Sequence, residues 1–148
     1  MDNLQPITAS PPTSLIVDIM ENKIKVLIVD DEPDILDFLD YNLSRNGFDT
    51  IQASNGMDAL QMADKEVPDL ILLDIMMPGI SGLDILRQMR QNPALANIPV
   101  VVVSAKSLPA DIRNGMEAGA STYLTKPVGF LELKEAVERA LGRQSPEA

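Results

Sequence analysis

Val26-Leu27-Ile28-Val29-Asp30-Asp31-Glu32-Pro33 runs from four aliphatic residues straight into three acids and a proline. The apolar part has no polar alternation, so a strand built from it is buried on both faces, as in a parallel sheet covered by helices. Pro33 has no amide hydrogen to give to a sheet, yet its fixed φ suits the first turn of a helix. The stretch therefore predicts a central strand that breaks off at carboxylates, with a helix starting just beyond them.

The same grammar recurs along the chain. Ile24 to Val29, Leu70 to Leu73 and Pro99 to Val103 are nearly uninterrupted aliphatic runs, while Phe48 to Ala53 and Thr122 to Thr125 are shorter and more polar. Between them apolar residues recur at helical spacing: Ile35, Leu39 and Leu43; Leu60, Ala63 and Val67; Leu86 and Met89; Leu133, Val137, Ala140 and Leu141. A weaker helix covers Ala110 to Ala118, with Ile112 and Met116 spaced for burial and Gly115 inside it. Strand and helix thus alternate, which predicts an α/β fold with a doubly wound, five-stranded parallel sheet. The wholly apolar first, third and fourth strands belong in its centre and the more polar second and fifth at its edges. That fits the order 2-1-3-4-5, the flavodoxin-like or CheY-like (βα)5 arrangement.

Composition narrows the chemistry. The 148 residues contain no cysteine and no histidine, which excludes disulfides, thiolate nucleophiles, Ser-His triads and the usual zinc ligands. A net charge of −10 disfavours direct nucleic-acid binding, which needs a basic footprint. No run reaches the roughly 18 apolar residues of a membrane span, and the N-terminus lacks the basic start of a secretory signal. A cytoplasmic address without membrane contact is expected.

Four of the five strands end in a chemically useful residue: Asp30 and Asp31 after the first, Asp74 after the third, Ser104 at the fourth, Lys126 after the fifth. Ligands of open parallel sheets bind outside the carboxyl ends of the strands where strand order reverses, here between the first and third. Each residue also has a plainer reading. Asp30 and Asp31 suit a helix start, Ser104 suits a turn, and Lys126 before Pro127 suits a surface loop. Asp74 resists that treatment, because a carboxylate at the edge of a buried layer is costly unless paired or metal-bound. The joint placement of all five carries the signal.

Residues 24 to 141 resemble the receiver domains of two-component response regulators. The resemblance rests on the opening stretch, on Leu72-Leu73-Asp74-Ile75-Met76-Met77-Pro78-Gly79, on Val102-Val103-Ser104-Ala105 and on Gly119-Ala120-Ser121-Thr122-Tyr123-Leu124-Thr125-Lys126-Pro127. It implies that Asp74 is a phosphoacceptor, and that Asp30, Asp31, Asp74 and the backbone carbonyl of Met76 bind Mg2+. Ser104 and Lys126 would each meet a phosphoryl oxygen, and Tyr123 would change rotamer with the state of Ser104. Met76 and Lys106 occupy positions that tune dephosphorylation in similar proteins. Departures are small: Ser104 stands where Thr is also common, and Val128 where Phe is frequent.

By the same resemblance the protein catalyses only its own phosphorylation and dephosphorylation. Its phosphodonor is a sensor histidine kinase or histidine phosphotransfer protein. Its target is a downstream protein effector or an output domain missing from this stretch, and a phosphorylation-dependent homodimer is among the assemblies allowed. The fourth helix, fifth strand and last helix are the expected output surface. Residues 1–22, rich in Pro, Ser and Thr, are expected to form a flexible extension, with Leu15 to Met20 as a short apolar segment and Met20 as an alternative start. Residues 23–142 form the receiver, residues 143–148 a polar tail, and the whole is either a stand-alone regulator or an excised receiver. Rival readings fare worse. A haloacid-dehalogenase-type phosphatase needs Asp two positions after the nucleophile, where Met76 stands, and a flavodoxin-like redox module lacks a phosphate-binding loop. A receiver-like module that acts without phosphorylation is the remaining alternative.

Overall fold

The computed structural model describes residues 23–142; the expectations for residues 1–22, including Leu15 to Met20 and a start at Met20, and for residues 143–148 lie outside the described residues. Five strands, β1 (Lys25–Val29), β2 (Asp49–Ala53), β3 (Leu70–Leu73), β4 (Val100–Ser104) and β5 (Thr122–Thr125), alternate with five helices. The helices are α1 (Pro33–Arg45), α2 (Gly56–Glu66), α3 (Gly82–Gln91), α4 (Pro109–Ala118) and α5 (Phe130–Ala140). All neighbouring strands are parallel, in the order β2-β1-β3-β4-β5, as the strand compositions predict.

Side chains alternate across the sheet with period two. Leu27, Val29, Ile71, Leu73, Val100 and Val102 face one way and pack on Ala59, Ala63, Ile85, Leu86, Met89 and Ala118 of α2, α3 and α4. Val26, Ile28, Leu70, Leu72, Val101 and Val103 face the other way, onto Leu36, Leu39 and Leu43 of α1 and Leu133 and Val137 of α5. Local signals set the helix starts. Pro33 opens α1, the Asn55 side chain accepts from the Asp58 N–H at 2.9 Å to cap α2, and Ser81 Oγ accepts from the Leu83 N–H at 3.2 Å to cap α3.

Two helical expectations need correction. Val67 does not continue α2; it is the left-handed C-cap at φ 44°, and its side chain is exposed. In α4 the buried residues are Gly115 and Ala118, while Met116 is exposed. The reason is proximity. A Cβ on Gly115 would lie 2.8 Å from the Tyr123 ring, so α4 approaches β5 on this glycine, with Met116 left outward and Ile112 half-buried.

Gly82 governs the approach of α3 to the end of β3. A Cβ there would meet the Ile75 Cα at 2.3 Å and the Asp74 carbonyl oxygen at 2.9 Å, both backbone atoms that cannot swing aside. Gly82→Ala should therefore destabilise the domain by about 2 kcal/mol, the usual scale of overpacking, and shift the amide resonances of residues 74–76. Urea unfolding and heteronuclear NMR would measure both; an unchanged midpoint would show that the contact is soft.

Candidate functional site

Among the described residues, the buried polar side chains are Asp30, Asp74 and Ser104, exposed by 1%, 3% and 0%. All three stand at the carboxyl edge of the sheet. Ladder bonds set their depth: the Asp30 N–H donates to the Ala53 carbonyl at 3.2 Å, the Asp74 N–H to Val29 at 2.9 Å, and the Lys126 N–H to Ser104 at 2.9 Å. Each strand thus delivers its last residue, or the next one, to the same rim.

Lys126 ties this rim together. Its ammonium donates to Asp30 Oδ2 at 2.8 Å, Glu32 Oε1 at 3.0 Å and Asp74 Oδ2 at 3.1 Å, which uses all three of its hydrogens. Burial alone would lower the Lys126 pKa, but the hydrogen bonds it donates to Asp30, Glu32 and Asp74 outweigh it and hold the ammonium above its ordinary value. Burial pushes the Asp30 carboxyl up; Lys126 and the Glu32 N–H oppose that push, and the charge on Asp74 adds to it. The remaining oxygens are also engaged. Asp30 Oδ1 accepts from the Glu32 N–H at 2.9 Å, and Asp74 Oδ1 from the Met76 N–H at 2.8 Å.

Asp31 is exposed, yet one carboxylate oxygen from each of Asp30, Asp31 and Asp74 can lie within 4.8 Å of the others. Such a set of hard oxygen donors on one side of a cleft fits a divalent cation such as Mg2+. The cleft, of about 230 Å3, is lined by Asp31, Glu32, Asp74, Met76, Ala105 and Lys126. Ser104 and Tyr123 meet through Lys106: the Lys106 N–H donates to Ser104 Oγ at 3.2 Å, and the Tyr123 hydroxyl donates to the Lys106 carbonyl at 2.7 Å. Burial raises the Tyr123 pKa, against a lowering contact with Ser104. Glu32 is the one member of the network that the reading of strand ends passes over. Its place directly after two aspartates was the available signal.

Residues 26–138 match the response regulator receiver domain. The chain belongs to this family. It is 42% identical over 119 residues to the alkaline phosphatase synthesis transcriptional regulatory protein PhoP of Bacillus subtilis (strain 168), a match covering 80% of this chain and 49% of that protein. The chain thus spans about half the length of this curated relative. A response regulator structure from Chloroflexus aurantiacus J-10-fl superposes with a TM-score of 0.79 at 33% identity, covering 82% of this chain and 100% of that one. The receiver domain of a sensor histidine kinase from Pseudomonas aeruginosa PAO1, solved with a magnesium ion coordinated in its active-site cleft, gives 0.76 at 27% identity, covering 81% of this chain and 98% of that one.

Lys126→Met should leave two buried carboxylates without their counter-charge. Breaking such a group from one side costs about 3 kcal/mol. Asp30, with its carboxyl raised in the fold, binds a proton more readily folded than unfolded. It therefore favours folding below the ordinary carboxylate range, and that contribution is lost as pH rises through its folded pKa. Without Lys126 that pKa rises further. The deficit of Lys126→Met should then be largest at pH 7 and shrink towards pH 5, by urea unfolding in Mg2+-free buffer; a pH-independent deficit would show that packing, not charge, is lost.

Proposed function

We propose that this receiver domain accepts a phosphoryl group on Asp74 from a phosphohistidine on a separate protein, and signals through the surface formed by α4, β5 and α5. The observation that carries the reading is the Asp74 carboxylate itself: buried, oriented at one oxygen by the Met76 N–H and at the other by Lys126, and bordering a cleft with room for a phosphoryl group. The 148 residues contain no histidine, which supports a donor imidazole supplied from outside this domain, by a sensor kinase or phosphotransfer protein.

Asp74 attacks the phosphorus as a carboxylate nucleophile. A P–O bond forms as the P–N bond to the donor imidazole breaks, and the imidazole nitrogen keeps the electron pair. Such transfer asks the protein for positioning and charge neutralisation more than for proton transfer. Asp30, Asp31, Asp74 and the Met76 carbonyl would hold Mg2+, which would supply positive charge to offset that of the phosphoryl group; the ion in the Pseudomonas aeruginosa receiver supports this assignment. Lys126 turns one of its hydrogens from a carboxylate to a phosphoryl oxygen, and Ser104 Oγ donates to another. The domain performs only this reaction and the hydrolysis of its own acyl phosphate.

Turning the Asp74 carboxylate into an acyl phosphate adds negative charge and new acceptor oxygens at the rim, which makes the event an electrostatic switch. Ser104 moves towards the new oxygens, and Tyr123 follows through their shared partner Lys106. The receiver of this sequence then acts on a downstream protein, or on an output domain outside these residues, as the match to only 49% of PhoP allows. No helix among the described residues is long and apolar enough to cross a membrane, which fits the cytoplasmic address we assign.

Acetyl phosphate with Mg2+ should label the wild-type protein and leave Asp74→Asn unlabelled. Asp31→Asn should raise the Mg2+ concentration needed for half-maximal labelling. Mass spectrometry of the intact protein reads both, and equal labelling of wild type and Asp74→Asn would overturn the assignment.

A further inference from the structure

Helix α4 is held unevenly along its length. Residues 105–110, its first turn and the loop before it, are exposed, and the hydrogen bond to its N-cap, from the Leu108 N–H to Asp111 Oδ2 at 3.1 Å, stays within the same turn and ties it to no other element. Its buried residues, Gly115 and Ala118, both lie in the second half. Just past them, the Gly119 carbonyl accepts two hydrogen bonds from Arg90 of α3, from Nε at 3.1 Å and Nη2 at 2.8 Å. Arg90 Nη1 reaches the carbonyls of Ile98 at 2.8 Å, Ala96 at 3.1 Å and Leu95 at 3.5 Å. One guanidinium therefore fastens the last turn of α3, the approach to β4 and the link from α4 to β5.

The chemistry of this clamp resists sliding. A guanidinium presents several N–H groups in a rigid plane, which an ammonium on a flexible stem does not reproduce. Arg90 is half-buried, and burial lowers its pKa. Displacing Gly119 would strip a desolvated cation of two hydrogen bonds at once, and groups of this kind are costly to leave unpaired. The other end of α4 is tied to the site instead, through Lys106 between Ser104 Oγ and the Tyr123 hydroxyl.

We propose that Arg90 is a positioning residue that fixes the C-terminal end of α4, so that a change at Asp74 swings residues 105–112 about that point and does not shift the helix as a body. A short rigid helix pulled at one end and pinned at the other can only pivot. The inference rests on the reading of Asp74 as the acceptor and deepens it, because it names which part of the output surface moves.

Hydrogen exchange of the full chain, with and without beryllofluoride and Mg2+, tests the pivot. In the wild type, exchange should change several-fold in residues 105–112 and stay unchanged within error in residues 115–121. Arg90→Lys keeps the charge and loses the fork. There the change should spread through residues 115–121, while residues 74–80 respond as in the wild type. Arg90→Gln is a second variant with the same expectation, and the wild-type comparison decides alone if neither folds. A wild-type response equal at both ends of α4, or one that stays local in the variants, overturns the pivot. A wild type in which residues 74–80 do not respond overturns the acceptor reading, and the pivot with it.

Discussion

The fold depends on a single ammonium group holding the charged rim of its sheet together. A parallel sheet covered on both faces leaves its strands no exit for polar groups except at their ends. Here β1 and β3 end on Asp30 and Asp74, adjacent and almost fully buried. Two like charges at that depth repel each other and have lost most of their water. Lys126, arriving from the far edge strand β5, meets both and takes in Glu32 as well. It therefore joins β5 to β1 across β3 and β4, a tie that no ladder hydrogen bond makes. The lysine also leaves the cluster short of positive charge, with three acids sharing one ammonium and Asp31 close to two of them. That imbalance is what makes the rim receptive to a cation.

Much of this was legible in the sequence because it follows from periods and ends. Uninterrupted aliphatic runs mark strands buried on both faces, so Ile24 to Val29, Leu70 to Leu73 and Pro99 to Val103 declared themselves central. The residues where those runs stop then share an edge by topology alone, which is how Asp30, Asp74, Ser104 and Lys126 come together without any local signal joining them. Glu32 was readable only as an acid at a helix start, since nothing local reveals that an ammonium from 94 positions away would reach it.

Other features were illegible for a different reason. Helical periodicity counts apolar residues and is blind to how closely two elements approach. In α4 it favoured Ile112 and Met116, whereas the buried positions are Gly115, packed close on Tyr123, and Ala118, which carry almost no hydrophobic signal. Arg90 was hidden in the same way. A cation in the last turn of a helix is an ordinary surface residue by pattern, and its carbonyl partners belong to backbone that any sequence would provide. The devices that set how elements move relative to one another rest on small residues and backbone groups, and these leave the faintest trace in sequence.

The cost of the rim also bears on which kind of receiver this is. A module that worked by shape alone would gain from an apolar or amide residue at position 74, since a buried charged group is often less stable than a well-packed apolar one of similar size. This chain instead buries Asp74 beside a second buried acid and aligns both of its oxygens, one on backbone and one on Lys126. It also places a buried hydroxyl, Ser104, on the same rim, with a hydrogen-bonded route through Lys106 to the half-buried Tyr123. A static interaction surface needs none of these arrangements. The phosphoryl switch proposed for this domain would use each of them: the carboxylate as nucleophile, the ammonium as counter-charge, the hydroxyl as detector and the tyrosine as the element that carries the change to α4.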